Sequence, residues 1–182
     1  MSNDLTRTTW ASIAAQLRTD AAEQDRLASA FHEAGHAVAA VVLGGRIHQA
    51  VLDTGPARTE YDEPPSSAVG PIAYAGPWCE ARALARLAGR YTAPGPRDMQ
   101  HVLPTNCADW KILIATGGPE AAHGVVPILE RCWPAVLTVA GKLFTTGTAG
   151  HRDVCAALHL TDDGGPGSVE LACIRSGLRA VS

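Results

Sequence analysis

Phe31-His32-Glu33-Ala34-Gly35-His36-Ala37-Val38-Ala39-Ala40-Val41-Val42-Leu43-Gly44-Gly45 is the stretch whose reading decides the fold and the chemistry of this chain. It reads as the second half of an apolar helix beginning near Leu27, closed by Gly44-Gly45 as a helix end requires. Residues four apart on a helix share a face, so His32 and His36 can offer two imidazole nitrogens to one ion. Glu33 lies about 100° further round, within reach of a water held there without being a ligand. Two histidines one turn apart with a glutamate after the first is the arrangement a hydrolytic zinc site requires.

The plain alternative is a pair of histidines on an amphipathic helix. It fares poorly here, because titratable side chains set between Phe31 and the run Ala37 to Leu43 would cost several kcal/mol if buried without partners. A catalytic zinc takes three protein ligands and keeps a fourth position for water, so one ligand is missing from the motif. Asp98, Glu80, His101 and His48 are the candidates, and position alone does not choose among them.

Working outward, 182 residues are enough for one domain, 1–182, and too few for two ordinary ones. A hydrophobic fraction of 46% with 18% charged residues suits a compact soluble protein. The formal charge of -3 offers no basic surface for nucleic acid. Five cysteines, with no C-x-x-C pair, indicate neither a disulfide framework nor a thiolate zinc site, and fit reduced thiols in a cytoplasmic protein. The N-terminus lacks the apolar core of a signal peptide, and no stretch is long and apolar enough to span a bilayer.

The periodicity predicts an amphipathic helix over Asp4 to Leu17 and the motif helix over Leu27 to Leu43. A short strand follows over Ile47 to Asp53, then an exposed loop over Ala57 to Ser67. The chain turns helical from Pro71 to Leu87, kinked or restarted at Pro77, with Glu80 facing out. Short helices are expected over Arg97 to Leu103, with Asp98 in its first turn, and over Ala108 to Thr116. A C-terminal helical pair within 120–160 comprises Val125 to Phe144, bent at Pro134, and Gly150 to Leu160, joined by a turn through Thr145 to Thr148. The sequence leaves the type of Val169 to Leu178 open. His123, His151 and His159 lie far from the motif, where surface or capping roles are the default.

His32-Glu33-Ala34-Gly35-His36-Ala37-Val38 is similar to the motif of the FtsH-type zinc peptidases, the proteolytic domain of membrane-bound AAA proteases. Beyond it, Ala75-Gly76-Pro77-Trp78-Cys79-Glu80-Ala81 resembles that family's glycine-rich second helix, and Ala93-Pro94-Gly95-Pro96-Arg97-Asp98 its small-residue turn and third ligand. The resemblance covers about Leu27 to Ala115. It implies a metallopeptidase core over 27–116, with Asp98 as the third zinc ligand and Glu80 as a packing carboxylate or a partner to a ligand. His101, one turn after Asp98, would share its helix face and stand beside that ligand. The chain departs from the family in lacking an ATPase module and a membrane anchor, and in carrying Pro77 and Pro96.

The fold expected is therefore mainly α with minor β, a compact helical zincin-like domain with a short strand or hairpin after the motif helix. The function implied is ATP-independent, zinc-dependent cleavage of flexible or unfolded peptide, with Glu33 as general base and a partner protein as a possible source of substrate. Substrate would lie extended beside an exposed edge of the Ile47 to Asp53 strand. The alternative is a non-catalytic zinc-containing binding or regulatory domain of the same fold.

Overall fold

A computed structural model describes residues 21–52, 56–62 and 64–181. The helix expected over Asp4 to Leu17 lies outside the described residues. The motif helix, α1 (Ala21–Val42), runs through the middle of the molecule, and from Ala30 to Val42 every residue is buried. A helix that is apolar all round has to be enclosed, and its alanines and Gly35 let neighbouring helices approach. It ends in a Schellman turn: Gly44 takes φ 93°, Gly45 N–H donates to Ala40 O at 2.8 Å, and Gly44 N–H donates to Val41 O at 3.0 Å.

After the turn come β1 (Ile47–Val51) and β2 (Arg58–Tyr61), an antiparallel pair with Ala50 opposite Thr59 and Ile47 opposite Tyr61. A third strand, β3 (Thr148–Gly150), pairs with the other side of β1, giving the order β2-β1-β3. This corrects three sequence expectations. The loop from Ala57 contains a strand, the turn near Thr148 is itself a strand, and the strand after the motif helix is the middle one, with no free edge. Among the described residues the free edge nearest the motif belongs to β2.

Packed along α1 is α2 (Ser66–Leu87), a continuous helix that contains both Pro71 and Pro77. Each proline removes one backbone donor. The gain from burying Ile72 to Cys79 outweighs that loss, so of the kink or restart expected at Pro77 the restart does not occur. Gly35 makes the closeness possible, because a Cβ there would meet Ala75 O at 2.6 Å. Next come α3 (Pro96–Val102), a 3-10 turn Leu103–Thr105 and α4 (Cys107–Ala115).

The second half of the chain builds α5 (Gly118–Ala122), a 3-10 turn His123–Val125, α6 (Val126–Arg131) and α7 (Trp133–Thr146). The helix expected to bend at Pro134 is broken at Cys132, leaving Pro134 in the first turn of α7, where a missing N–H costs nothing. Beyond β3 lie α8 (His151–Ala157) and α9 (Val169–Ser176), so the segment left open by the sequence is helical. One buried cluster extends from Leu27 to Val181, and β3 ties the C-terminal half into the sheet that follows the motif helix. The architecture is mainly α with one small antiparallel sheet. The five cysteines are unpaired. Among the described residues no single helix is long and apolar enough to cross a membrane.

Candidate metal centre

His32 and His36 leave α1 on the face that α2 and α4 cover, and their Nε2 atoms stand 2.9 Å apart. The carboxylate that joins them is Asp109, from the first turn of α4. Its Oδ2 lies 3.1 Å from His32 Nε2 and its Oδ1 lies 3.4 Å from His36 Nε2. Among the described residues no other group of three histidine, cysteine or acidic side chains converges in this way.

Asp98, the ligand implied by the resemblance, is elsewhere. Its Oδ2 accepts from the Gly95 N–H at 2.9 Å, closing the start of α3, and its Oδ1 pairs with Arg90 at 2.7 Å. Those donors hold its carboxyl below the usual range, the Gly95 amide first. His101 is exposed beside it. His48 is exposed as well, paired with Asp62 at 2.9 Å. Neither lines the cleft at His32.

Glu80, expected to face out, faces in. Its Oε2 accepts from His32 Nδ1 at 2.9 Å and from Asn106 Nδ2 at 3.0 Å, and the same Asn106 amide reaches Val102 O at 2.9 Å. His36 Nδ1 donates to Ile72 O at 2.8 Å. Because a carboxylate and a carbonyl can only accept, both Nδ1 atoms carry hydrogen. Neutral imidazoles in this tautomer turn their Nε2 lone pairs toward each other and toward Asp109. Three acceptors then face one another within 4.8 Å, an arrangement that requires a cation.

A proton is one such cation. Burial works against charge on His32, but hydrogen bonds to Asp109 and Glu80 and the charges of Glu33 and Asp109 outweigh it and raise its pKa to about 9. Burial likewise opposes charge on Asp109, and its hydrogen bonds with His32 and His36 prevail, holding the carboxyl far below the ordinary range. A metal ion is the other. Two oriented imidazoles and one carboxylate suit a first-row divalent ion, and a fixed partner on each remote nitrogen is how such ligands are aimed.

Glu33 is 4% exposed, and its Oε2 accepts from Thr59 Oγ1 of β2 at 2.7 Å. The cluster opens into a cleft of about 450 Å³ bounded by Thr59 and Tyr61 of β2, Glu80 of α2, and Asn106, Asp109 and Ile112 of the α4 region. Gly76 shapes the floor, since a Cβ there would fall 2.4 Å from His36 Nε2. Asp109 escaped the sequence reading because an aspartate three residues after Asn106 has the look of an ordinary helix-start carboxylate. The one signal in its favour was an Asn-x-x-Asp helix start following the Pro104 break.

No protein-family model matches this chain, and a search of the curated proteins finds no match.

Proposed function

We propose that this protein is a zinc-dependent endopeptidase acting on extended peptide, with His32, His36 and Asp109 as metal ligands and Glu33 as general base. The observation that carries the reading is the convergence of three acceptors beside a buried glutamate that follows the first histidine in sequence. Zinc held by these residues would supply a Lewis acid that polarises a carbonyl and acidifies water. Asp109 replaces Asp98 in the ligand set implied by the resemblance to the FtsH-type peptidases.

The chain's own groups divide the remaining work. Glu80 and Ile72 O fix the two imidazoles in the tautomer that leaves Nε2 free to bind. Thr59 occupies Oε2 of Glu33, so Oε1 is the oxygen available to take a proton from water and return it to the departing amine. The free edge of β2 supports strand addition, in which main-chain hydrogen bonds hold an extended peptide across the cleft whatever its side chains. Ala57, Arg58, Thr59 and Tyr61 border the cleft, and Arg58 pairs with Glu60 at 2.7 Å.

The test is metal content together with cleavage of an unfolded substrate such as casein. Purified protein is expected to hold one zinc per chain and to cleave casein, and Glu33→Gln to abolish cleavage while retaining the metal. Unchanged cleavage by Glu33→Gln would sink the mechanism. Bound zinc without cleavage would instead assign the non-catalytic binding domain.

A further inference from the structure

The bond between Thr59 and Glu33 joins two parts of the molecule that chemistry of this kind needs to coordinate. Thr59 Oγ1 is 2.7 Å from Glu33 Oε2 and 3.1 Å from the Glu33 main-chain oxygen. A threonine hydroxyl has one proton, and the shorter, charged acceptor takes the larger share of it. Among the described residues no other side chain or backbone group hydrogen-bonds this carboxylate, so its orientation is set from β2. Thr59 is itself fixed by the sheet, opposite Ala50 of β1, which is fully buried and pairs on its other side with Ala149 of β3.

We propose that Thr59 is the positioning residue for the base and the link between the peptide-binding edge and the reaction. It holds Oε2, presents Oε1 to the cleft, and makes the orientation of Glu33 depend on how well β2 is ordered. A peptide added to the free edge of β2 gives that strand a second partner and so steadies the residue that aims the base. An extended substrate would thus be favoured over a compact one of the same composition through turnover as well as through binding. The proposal rests on Glu33 being the base.

Valine has the shape of threonine without the donor, and serine keeps the donor without the methyl. With zinc-loaded protein and an unfolded fluorogenic peptide, Thr59→Val is expected to lower kcat on the order of ten- to a hundredfold, as a misaimed catalytic group does. KM should stay within about twofold of the parent and zinc stoichiometry should not change, because the strand edge and the ligands are intact. Thr59→Ser should restore most of kcat. Independently of turnover, carbon-labelled glutamate read by NMR scalar couplings should show Glu33 in one rotamer in the parent and in Thr59→Ser, and averaged rotamers in Thr59→Val. Parent-like kcat in Thr59→Val, a serine variant no better than valine, or one fixed Glu33 rotamer in Thr59→Val each overturns the proposal. If the parent protein cleaves nothing, the peptidase reading fails and the catalytic link fails with it. The rotamer measurement then separately decides whether Thr59 holds Glu33.

Discussion

Asp98 and Asp109 both stand third in a short helix, each three residues after the residue that caps it. Asp98 folds back on the Gly95 N–H and spends its second oxygen on Arg90. Asp109 makes neither kind of bond; it points away from its own helix start toward His32 and His36. Asp109→Ala is accordingly expected to weaken zinc binding by at least about a hundredfold, the scale for loss of one of three ligands exceeding the 10–100-fold of an outer partner. Asp98→Ala should leave zinc affinity unchanged and cost about 1 kcal/mol of stability, the usual value of a lost helix cap. Competition with a chelator of known affinity measures the first, and denaturant unfolding the second. Zinc loss in Asp98→Ala alone would restore the assignment implied by the family resemblance. His32, Glu33 and His36 were legible in the sequence because their relation is local, set by the helical repeat. The aspartate that meets them was not, since Asp98 and Asp109 carry the same local signal and both of their helices pack against α2; only the tertiary placement that brings Asp109 to His32 and His36, and Asp98 to Arg90, separates them.

At the scale of elements, the site depends on how closely α1 and α2 approach. Gly35 admits the Ala75 carbonyl and Gly76 admits the His36 ring, so two missing side chains on facing helices make room for the histidine-bearing face. Gly76→Ala would place a methyl 2.4 Å from His36 Nε2, and neither a helix backbone nor a ring held by Ile72 O gives way freely. The variant is expected to lose about 1–3 kcal/mol, the ordinary cost of overpacking, and to lose zinc affinity more steeply than that cost predicts because the displaced group is a proposed ligand. Isothermal titration with zinc beside denaturant unfolding separates the two losses, and affinity unchanged by Gly76→Ala would show that His36 binds no metal. The long helices were readable from their apolar periodicity and glycine stops. The strands β2 and β3 were not. Four residues, Arg-Thr-Glu-Tyr, and three, Thr-Ala-Gly, carry too little pattern to announce themselves, and each becomes a strand only because β1 lies beside it. That omission also left the free strand edge assigned to β1 instead of β2.

For the molecule as a whole, the convergence of acceptors makes folding and proton binding one linked equilibrium, to which binding of the proposed metal would be coupled. The folded-state pKa of His32, about 9, lies above its ordinary 6.5, so the stability contributed by its protonated form is complete below 6.5 and is lost as pH rises through 9. Asp109 is shifted the other way, from an ordinary 3.8 downward; its contribution is present above 3.8 and is lost as pH falls through its folded value. Metal-free protein should therefore gain most from the cluster between about pH 4 and 6.5. Zinc needs the lone pair on His32 Nε2 that the proton occupies, so binding releases one proton and affinity rises about tenfold per pH unit up to about pH 9. Since a ligand stabilises the fold by RT ln(1 + [L]/Kd), raising the pH from 6.5 to 8.5 at a fixed excess of zinc should enlarge the metal-induced stabilisation by about 2.7 kcal/mol. Paired thermal melts with and without zinc at the two pH values read this directly. The metal-free melting temperature should fall across the interval while the increment on adding zinc grows. An increment that stays constant with pH would mean that the metal sits away from His32.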